Sequence, residues 1–359
     1  MADRGARVVL VEGNAIGAGA SGRNLGAIQH PFDRILAPLY HESLTRYRAL
    51  ADTSGGAFAV DTHPAGLLLL SQDHEALSRQ FDRVREIHPD LAPRLLDPAE
   101  VTALEPSLAT GPAAILLATG FPIPPASATE AWANLAEDRG AQLLIGVPGR
   151  PTLVGGRAIG VTFDDGRQIL ADAVLVAAGP WTPRLVDSTG GWHPMHPTYG
   201  VTIQLRLGDA APTRIVEEDA VDDINRTAAV FGGANAEGAD EPPSMFSIAS
   251  AGGISTLGST FLATEPDAAL IEPLLLRRAV AFLPAIAEAE IVGRRMCARP
   301  QSVDGRPFIG AAGGVERLFV CAGHGPWGIS TGPASAAIAA RAVLDGTPPP
   351  DELAATRPF

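Results

Sequence analysis

The order of apolar and polar positions along the chain switches between strand-like and helix-like periods. Residues 7–12 (RVVLVE) form a short continuous apolar run ending in an acid, the pattern of a buried parallel strand. The residues before it read as the last turn of a helix with Gly5 as its C-cap glycine. A Gly/Ala/Ser-rich loop follows over 13–30, and helical spacing of Ile35, Leu36, Leu39, Leu44, Tyr47 and Leu50 predicts a helix over 33–52. Strands are predicted at 57–61 and 66–71, then a helix over 74–87 and a turn at 97–106. A helix over 127–139, stopped by Gly140, returns to a strand at 141–145 and a hairpin-like pair at 157–163 and 168–177. From 199 to 259 the runs VTIQLRL, SMFSIAS and GISTLGS are β-type, and a helix over 267–283 follows. Strands at 290–299 and 318–322 (LFVCA) precede a final helix over 325–344, and the Pro-rich tail reads as loose.

Nucleotide-type strands therefore occur at both ends and in the middle, with β-rich material between them. The expected fold class is α/β with mixed character: a Rossmann-like dinucleotide domain interleaved with a mixed or antiparallel β-sheet domain. The first would comprise 1–55, 125–190 and 295–346, the second 56–124 and 191–294, with 347–359 as the tail.

Composition narrows the function. With 359 residues, 46% hydrophobic and 19% charged, and a mean hydropathy of +0.14, the chain is globular with a large core, which excludes disorder, collagen and coiled coil. The net charge of −13 would repel phosphate backbones, so no nucleic-acid partner is expected. No Lys occurs in the chain, which removes a pyridoxal-phosphate Schiff base, a Walker A lysine and a lysine general base. Cys297 and Cys321 make neither a disulfide framework nor a zinc cluster and suit a reducing cytosol. No apolar run approaches the ~18 residues of a membrane span and the N-terminus lacks a signal-peptide core, so the expected location is cytoplasmic.

Candidate chemistry gathers at strand ends. Glu12, closing the first strand, stands where a dinucleotide fold places the acid that binds a ribose hydroxyl; a solvated strand-end Glu is the alternative. Gly17-Ala-Gly19-Ala-Ser-Gly22 matches G-x-G-x-x-G, but it follows the acid and no helical pattern starts on it, so it is not read as the dinucleotide fingerprint. Its small residues still let backbone approach a ligand, and Ser21, Arg23 and Asn24 add donors suited to a pyrophosphate or a flavin edge. Residues 174–181 (VLVAAGPW) form a strand running into a small-residue turn. Residues 323–332 (GHGPWGISTG) end a strand in a Gly-rich turn that opens a helix, so free N–H groups and the positive end of the dipole meet whatever anion binds there. His324 is a catalytic candidate within that turn, with a structural turn histidine as its alternative.

Four motifs, GASGRNLG (19–26), AAGPW (177–181), RPQSVDGRPFIG (299–310) and GHGPWGISTGPA (323–334), resemble in order and spacing the FAD-dependent D-amino-acid oxidase/glycine oxidase/sarcosine oxidase family. The resemblance covers nearly the whole chain. It implies a p-hydroxybenzoate-hydroxylase-like arrangement and oxidation of the C–N bond of a small amino or imino acid by hydride transfer to FAD, with oxygen or another acceptor reoxidising the flavin. By position, Glu12 would bind the adenosine ribose; Ser21, Gly22, Arg23 and Asn24 would line the pyrophosphate and flavin; Ala178, Gly179 and Trp181 would pass near the cofactor. Gly323, His324, Gly325, Trp327, Gly328 and Ile329 would cradle the flavin ring. Arg299 would pair with the substrate carboxylate through its bidentate fork, with a structural ion pair as the alternative. Tyr199, His30 and His324 are further candidates for the substrate face, and the acidic stretch 217–241 is expected on the substrate side.

Three departures from the family pattern add expectations. The family's first strand and its G-x-G-x-x-G turn have no counterpart, so a missing segment is expected, with a truncated or degenerate member of impaired FAD binding as the alternative reading. Cys297 is in register with a cysteine that carries covalent flavin in sarcosine-oxidase-like members, while the Arg-Pro after it resembles the glycine-oxidase branch, so non-covalent FAD is expected. Those sarcosine oxidases activate oxygen with a Lys that is absent here, which leaves a dehydrogenase using another acceptor open. A nicotinamide-linked dehydrogenase would need the intact fingerprint, and the GHGPWG turn favours flavin.

Overall fold

The run Leu67–Ser71 contains four consecutive leucines and is buried at every position. Its period of two sends Leu68 and Leu70 into one core with Phe246, Leu275 and Ala279, and Leu67 and Leu69 into another with Leu77, Val84 and Ile115. A strand covered on both faces has to be apolar throughout, which is why no alternation shows in its sequence. In the computed structural model, which describes residues 1–219 and 242–359, this strand belongs to an eight-stranded sheet. The order is Glu290–Ser302, Met195–Arg206, Ile254–Thr260, Ser244–Ala251, Ile215–Glu218, Leu67–Ser71, Ala113–Leu117 and Arg94–Leu96. The pair Ile215–Glu218 and Leu67–Ser71 is parallel and the other pairs are antiparallel. Helix Ala268–Val280 covers one face, where Phe246 stacks on Phe282 at 4.9 Å. Helix His74–Ile87 covers the other, its first turn capped by the Asp73 carboxylate, which accepts from the Glu75 and Ala76 N–H groups.

The rest of the chain carries short parallel pieces. Val9–Glu12 pairs with Gln142–Ile145, and Val174–Val176 pairs with Leu318–Ala322, which continues antiparallel into Phe308–Ala311. Helices Ala37–Thr53 and Gly328–Asp345 pack together through Leu36, Leu39, Ala334 and Ile338, and the buried Ser43 hydroxyl accepts from the Ala334 N–H at 3.1 Å. The architecture is mixed α/β. Among the described residues no helix is long and apolar enough to cross a membrane.

Several local expectations are corrected. Residues 57–61 form no strand: Phe58 is buried against Tyr47, and its N–H donates to the Ser54 hydroxyl instead of to a neighbouring strand. Residues 97–106 are not a simple turn but hold helix Pro98–Leu104, because Asp97 and Glu100 close a reciprocal capping box and Pro98 presets the first helical residue. The run 168–177 splits, with Gln168–Leu170 kept in the hairpin and Val174–Val176 crossing to Leu318–Ala322. Strands Arg94–Leu96, Ala113–Leu117 and Phe308–Ala311 were not expected. The tail after Gly346, expected loose, is packed: Leu353 and Ala355 are buried, and the Ala355 N–H donates to the Ile309 carbonyl. The Arg357 guanidinium lies 3.4 Å from the Phe308 ring centroid and binds both carboxylate oxygens of Asp304. Residues 220–241 of the expected acidic stretch lie outside the described residues.

Candidate functional site

Strand Val9–Glu12 on one side and strands Val174–Val176 and Leu318–Ala322 on the other line a single cavity of about 2960 Å³. This is several times the roughly 300–1,000 Å³ of an ordinary ligand pocket. Glu12, Ser21, Arg23, Asn24, Ala178, Gly179, Trp181, Cys297, Arg299, His324, Gly325, Trp327, Gly328 and Ile329 all reach its wall. Gly22, Gly323, Tyr199 and His30 do not.

The Gly17–Gly22 loop shows why small residues are needed. A one-turn helix, Ala20–Arg23, does start on it, contrary to the sequence expectation, because the chain doubles back on itself there. A Cβ on Gly22 would lie 2.3 Å from the Gly17 carbonyl oxygen, so only glycine permits the approach. Asn24 locks the turn: its Nδ2 donates to the Ala20 and Ser21 carbonyls and its Oδ1 accepts from the Gly26 N–H. Those side-chain groups are thus spent on the loop. Arg295 donates to the Gly22 and Asn24 carbonyls, and Arg23 donates to the Met296 carbonyl, tying the loop to strand Glu290–Ser302. Glu12 turns one carboxylate oxygen back to accept from the Asn14 N–H at 2.7 Å. Trp181, in the tight turn after Val174–Val176, keeps 58% of its surface exposed.

On the opposite wall, Leu318–Ala322 runs through Gly323 and His324 into a tight Gly325–Trp327 turn and then helix Gly328–Asp345. No side chain caps this helix, so the N–H groups of its first turn are open toward the cavity that Gly328 and Ile329 line. Burial pushes the His324 imidazole down to about 4, so it is neutral at neutral pH, and its Nε2 is buried without a hydrogen-bond partner. Gly323 packs behind the turn, near Met195, Ser302 and Phe308.

Arg299 sits on strand Glu290–Ser302 opposite Thr198, two residues from Gly200 on the same face of the neighbouring strand. Its Nη1 donates to the Thr260 carbonyl at 2.8 Å, its Nη2 donates to the Ser259 hydroxyl, and its guanidinium lies over the Phe261 ring at 4.8 Å. Among the described residues no carboxylate pairs with it, so the ion-pair alternative is not what holds it. Burial lowers its pKa from the ordinary arginine value, with the guanidinium still cationic. Cys297, two residues earlier, is buried, its thiol aimed at the Arg23 carbonyl oxygen 4.0 Å away, and burial pushes its pKa up. Tyr199 takes the other face of its strand, opposite Ala298, and exchanges backbone hydrogen bonds with Leu262. His30 packs instead among Tyr40, His41 and His88.

Sequence reasoning missed several participants. Gly200 makes room for Arg299: a Cβ there would lie 2.3 Å from Nη2. A lone glycine inside a β-type run was the available signal. Ser259, Thr260 and Phe261, which hold the guanidinium, come from a distant strand and carry no signal of their own. Gln29 and Glu217 meet at the cavity wall, with Gln29 Nε2 donating to Glu217 Oε2 at 3.1 Å.

Comparison with known proteins agrees with this geometry. The model of the FAD dependent oxidoreductase family DAO matches residues 1–342. A D-amino acid dehydrogenase of Rhizobium rhizogenes is 27% identical over 298 residues, 80% of this chain and 66% of that protein. Glycine oxidase of Pseudomonas putida is 27% identical over 183 residues, covering 50% of this chain and 43% of that protein. The chain thus spans less than two thirds of the length of these relatives. The crystal structure of glycine oxidase from Geobacillus kaustophilus superposes with a TM-score of 0.80 at 23% identity, covering 100% of this chain and 94% of that one, a likeness of fold. Family match, fold and the placement of four motifs around one cavity agree, and the chain belongs to the DAO family of FAD-dependent oxidoreductases.

Proposed function

We propose that the protein oxidises the C–N bond of a small amino or imino acid, with non-covalent FAD in the cavity between Val9–Glu12 and Leu318–Ala322. The observation that carries this reading is Arg299: a partly buried guanidinium on the cavity wall, fixed by Ser259 and Thr260 and paired with no carboxylate among the described residues. Such a group recognises a planar monoanion, and a substrate carboxylate supplies one.

The wall residues suit the cofactor's chemistry. Glu12, at a strand end, suits a ribose hydroxyl; the Gly17–Asn24 loop presents close-packed backbone to a pyrophosphate; the uncapped start of helix Gly328–Asp345 suits a partial negative charge. Ala178, Gly179 and Trp181 flank the same space. FAD, when bound, supplies the acceptor for the hydride that leaves the substrate carbon.

Arg299 fixes the substrate carboxylate and thereby the C–H bond beside the amine. His324, held neutral by burial, lines the wall beside this space without adding a charge, and the substrate reacts with its amine unprotonated, since the nitrogen lone pair forms the C=N bond. Cys297 stays a protonated thiol, which supports non-covalent FAD. The terminal electron acceptor would be oxygen or another oxidant, and the absence of Lys from the chain favours one other than oxygen. Free Cys297 and Cys321 support a reducing, cytoplasmic setting. Residues 1–55, 125–190 and 295–346 form the cofactor side of this reading, and 56–124 with 191–294 the substrate side.

The visible absorption spectrum of the purified chain is the test. Near-stoichiometric oxidised flavin that bleaches anaerobically with a small amino or imino acid supports the reading. A folded, colourless chain that takes up no added FAD would overturn it in favour of a family member without flavin chemistry.

A further inference from the structure

Away from the cavity, four histidine and aspartate side chains from three segments converge. His30 follows strand Ala27–Ile28, His41 sits in the first turns of helix Ala37–Thr53, and His88 and Asp90 occupy the turn after helix His74–Ile87. The ring of His30 lies 5.0 Å from that of His88 and 5.5 Å from that of His41, and His41 Nε2 is 3.9 Å from Asp90 Oδ2. One ligand atom from each of His30, His41 and Asp90 falls within 4.8 Å of the others.

Two buried atoms in this cluster lack what a buried polar atom needs. His30 and His88 are 1% and 5% exposed, and His30 Nδ1 and His88 Nε2 have no hydrogen-bond partner among the described residues. A buried polar atom without a partner is unfavourable, and a ligand at this cluster would supply what these two lack. The His30 position is itself fixed: its N–H donates to the Thr119 hydroxyl, which also bonds the Tyr40 hydroxyl.

We propose that His30, His41 and Asp90 bind a divalent transition metal of the zinc class, with water or His88 completing the coordination. Two imidazoles and one carboxylate are the nitrogen and oxygen donors such an ion takes, and calcium or magnesium would call for an oxygen cage. Around a tetrahedral zinc, with ligand bonds of about 2.0–2.2 Å, donor atoms stand about 3.3 Å apart, so gaps of up to 4.8 Å have to close by up to about 1.5 Å. The side chains that would move are the ones free to do so: His41 and Asp90 are 58% and 55% exposed, whereas His30 is held. Bound there, the ion ties helix Ala37–Thr53 to the turn at Pro89–Leu91 and stabilises the folded chain by mass action.

Zinc itself and the spectroscopic probe Co²⁺ test this on the full, untagged chain after chelator dialysis. The expected result is one Zn²⁺ per chain by calorimetry, a higher melting temperature with zinc, and a visible Co²⁺ spectrum of low coordination number. His41→Ala and Asp90→Ala, both at exposed side chains, should keep the metal-free melting temperature and lose more than about tenfold in zinc affinity, since even partners behind a ligand cost that much. His74→Ala, outside the cluster, should bind as the parent does. Failure of the parent to bind zinc at micromolar concentrations, or binding unchanged in both variants, overturns the proposal. None of these readouts depends on flavin content or turnover.

Discussion

The Tyr47 hydroxyl donates to the Ile329 carbonyl at 2.8 Å, and Pro333 is the reason that carbonyl needs it. Within helix Gly328–Asp345 the N–H four residues beyond Ile329 would belong to residue 333, and proline has none. Tyr47, from the packed helix Ala37–Thr53, supplies the missing donor across the interface, and burial raises its hydroxyl pKa so that it remains protonated. Tyr47→Phe should cost about 1–3 kcal/mol, the penalty of a buried carbonyl without a donor, and should loosen the turn that faces the cavity. Denaturant unfolding and flavin retention on dilution measure both effects; unchanged stability would show that the carbonyl finds another partner.

Arg299 and Gly200 make a second such pair, in which a missing side chain provides the room for a present one. Arg299→Ala should lower kcat/KM for an amino acid by roughly 100-fold, about 3 kcal/mol for a charge-assisted contact, with flavin content preserved. Gly200→Ala should displace the guanidinium and raise KM in the same direction by a smaller factor. Equal KM values in the parent and both variants would remove Arg299 from the carboxylate role.

Gly22→Val tests the loop. With a Cβ 2.3 Å from the Gly17 carbonyl oxygen the turn must open, and the expected outcome is reduced flavin occupancy by the ratio of visible to ultraviolet absorbance. The eight-stranded sheet lies outside this turn, so its contribution to the circular dichroism spectrum should persist.

His324 gives stability a pH dependence of known sign. Its folded pKa of about 4 lies below the ordinary 6.5, so between these values the unfolded chain binds more protons. The contribution is complete above about pH 6.5 and is lost as pH falls toward about 4. His324→Gln should flatten the slope in that window by up to about 1.4 kcal/mol per pH unit, the limit for one proton. Urea unfolding of the parent and the variant at several pH values gives the comparison.

Arg357 pins the C-terminal segment through Asp304, the Phe308 ring, and the Pro307, Ala354 and Arg306 carbonyls, with 8% of its side chain exposed. Arg357→Ala should destabilise the chain by about 1–3 kcal/mol, mainly through lost packing and a carboxylate left without its partner. Thermal unfolding and proteolysis of the last residues report it.

Much of the molecule was legible in order. Helix His74–Ile87 announces itself by its Asp73 cap and its spacing, the strand Leu318–Ala322 by its apolar run, and the turn at 323–328 by its glycines. These signals are local: caps, periodicity and special backbone angles depend on neighbours a few residues away. The Asp97–Glu100 capping box is a local signal too, one that distinguishes helix Pro98–Leu104 from a plain turn. What the sequence could not give is any relationship set by distant neighbours. The split of 168–177 between two sheets, the packing of the tail by Arg357, the bare guanidinium of Arg299 held by Ser259 and Thr260, and the meeting of His30, His41 and Asp90 depend on which segments fold against one another. A residue's type limits its chemistry, but burial, pairing and reach are set by partners that only the tertiary structure brings together.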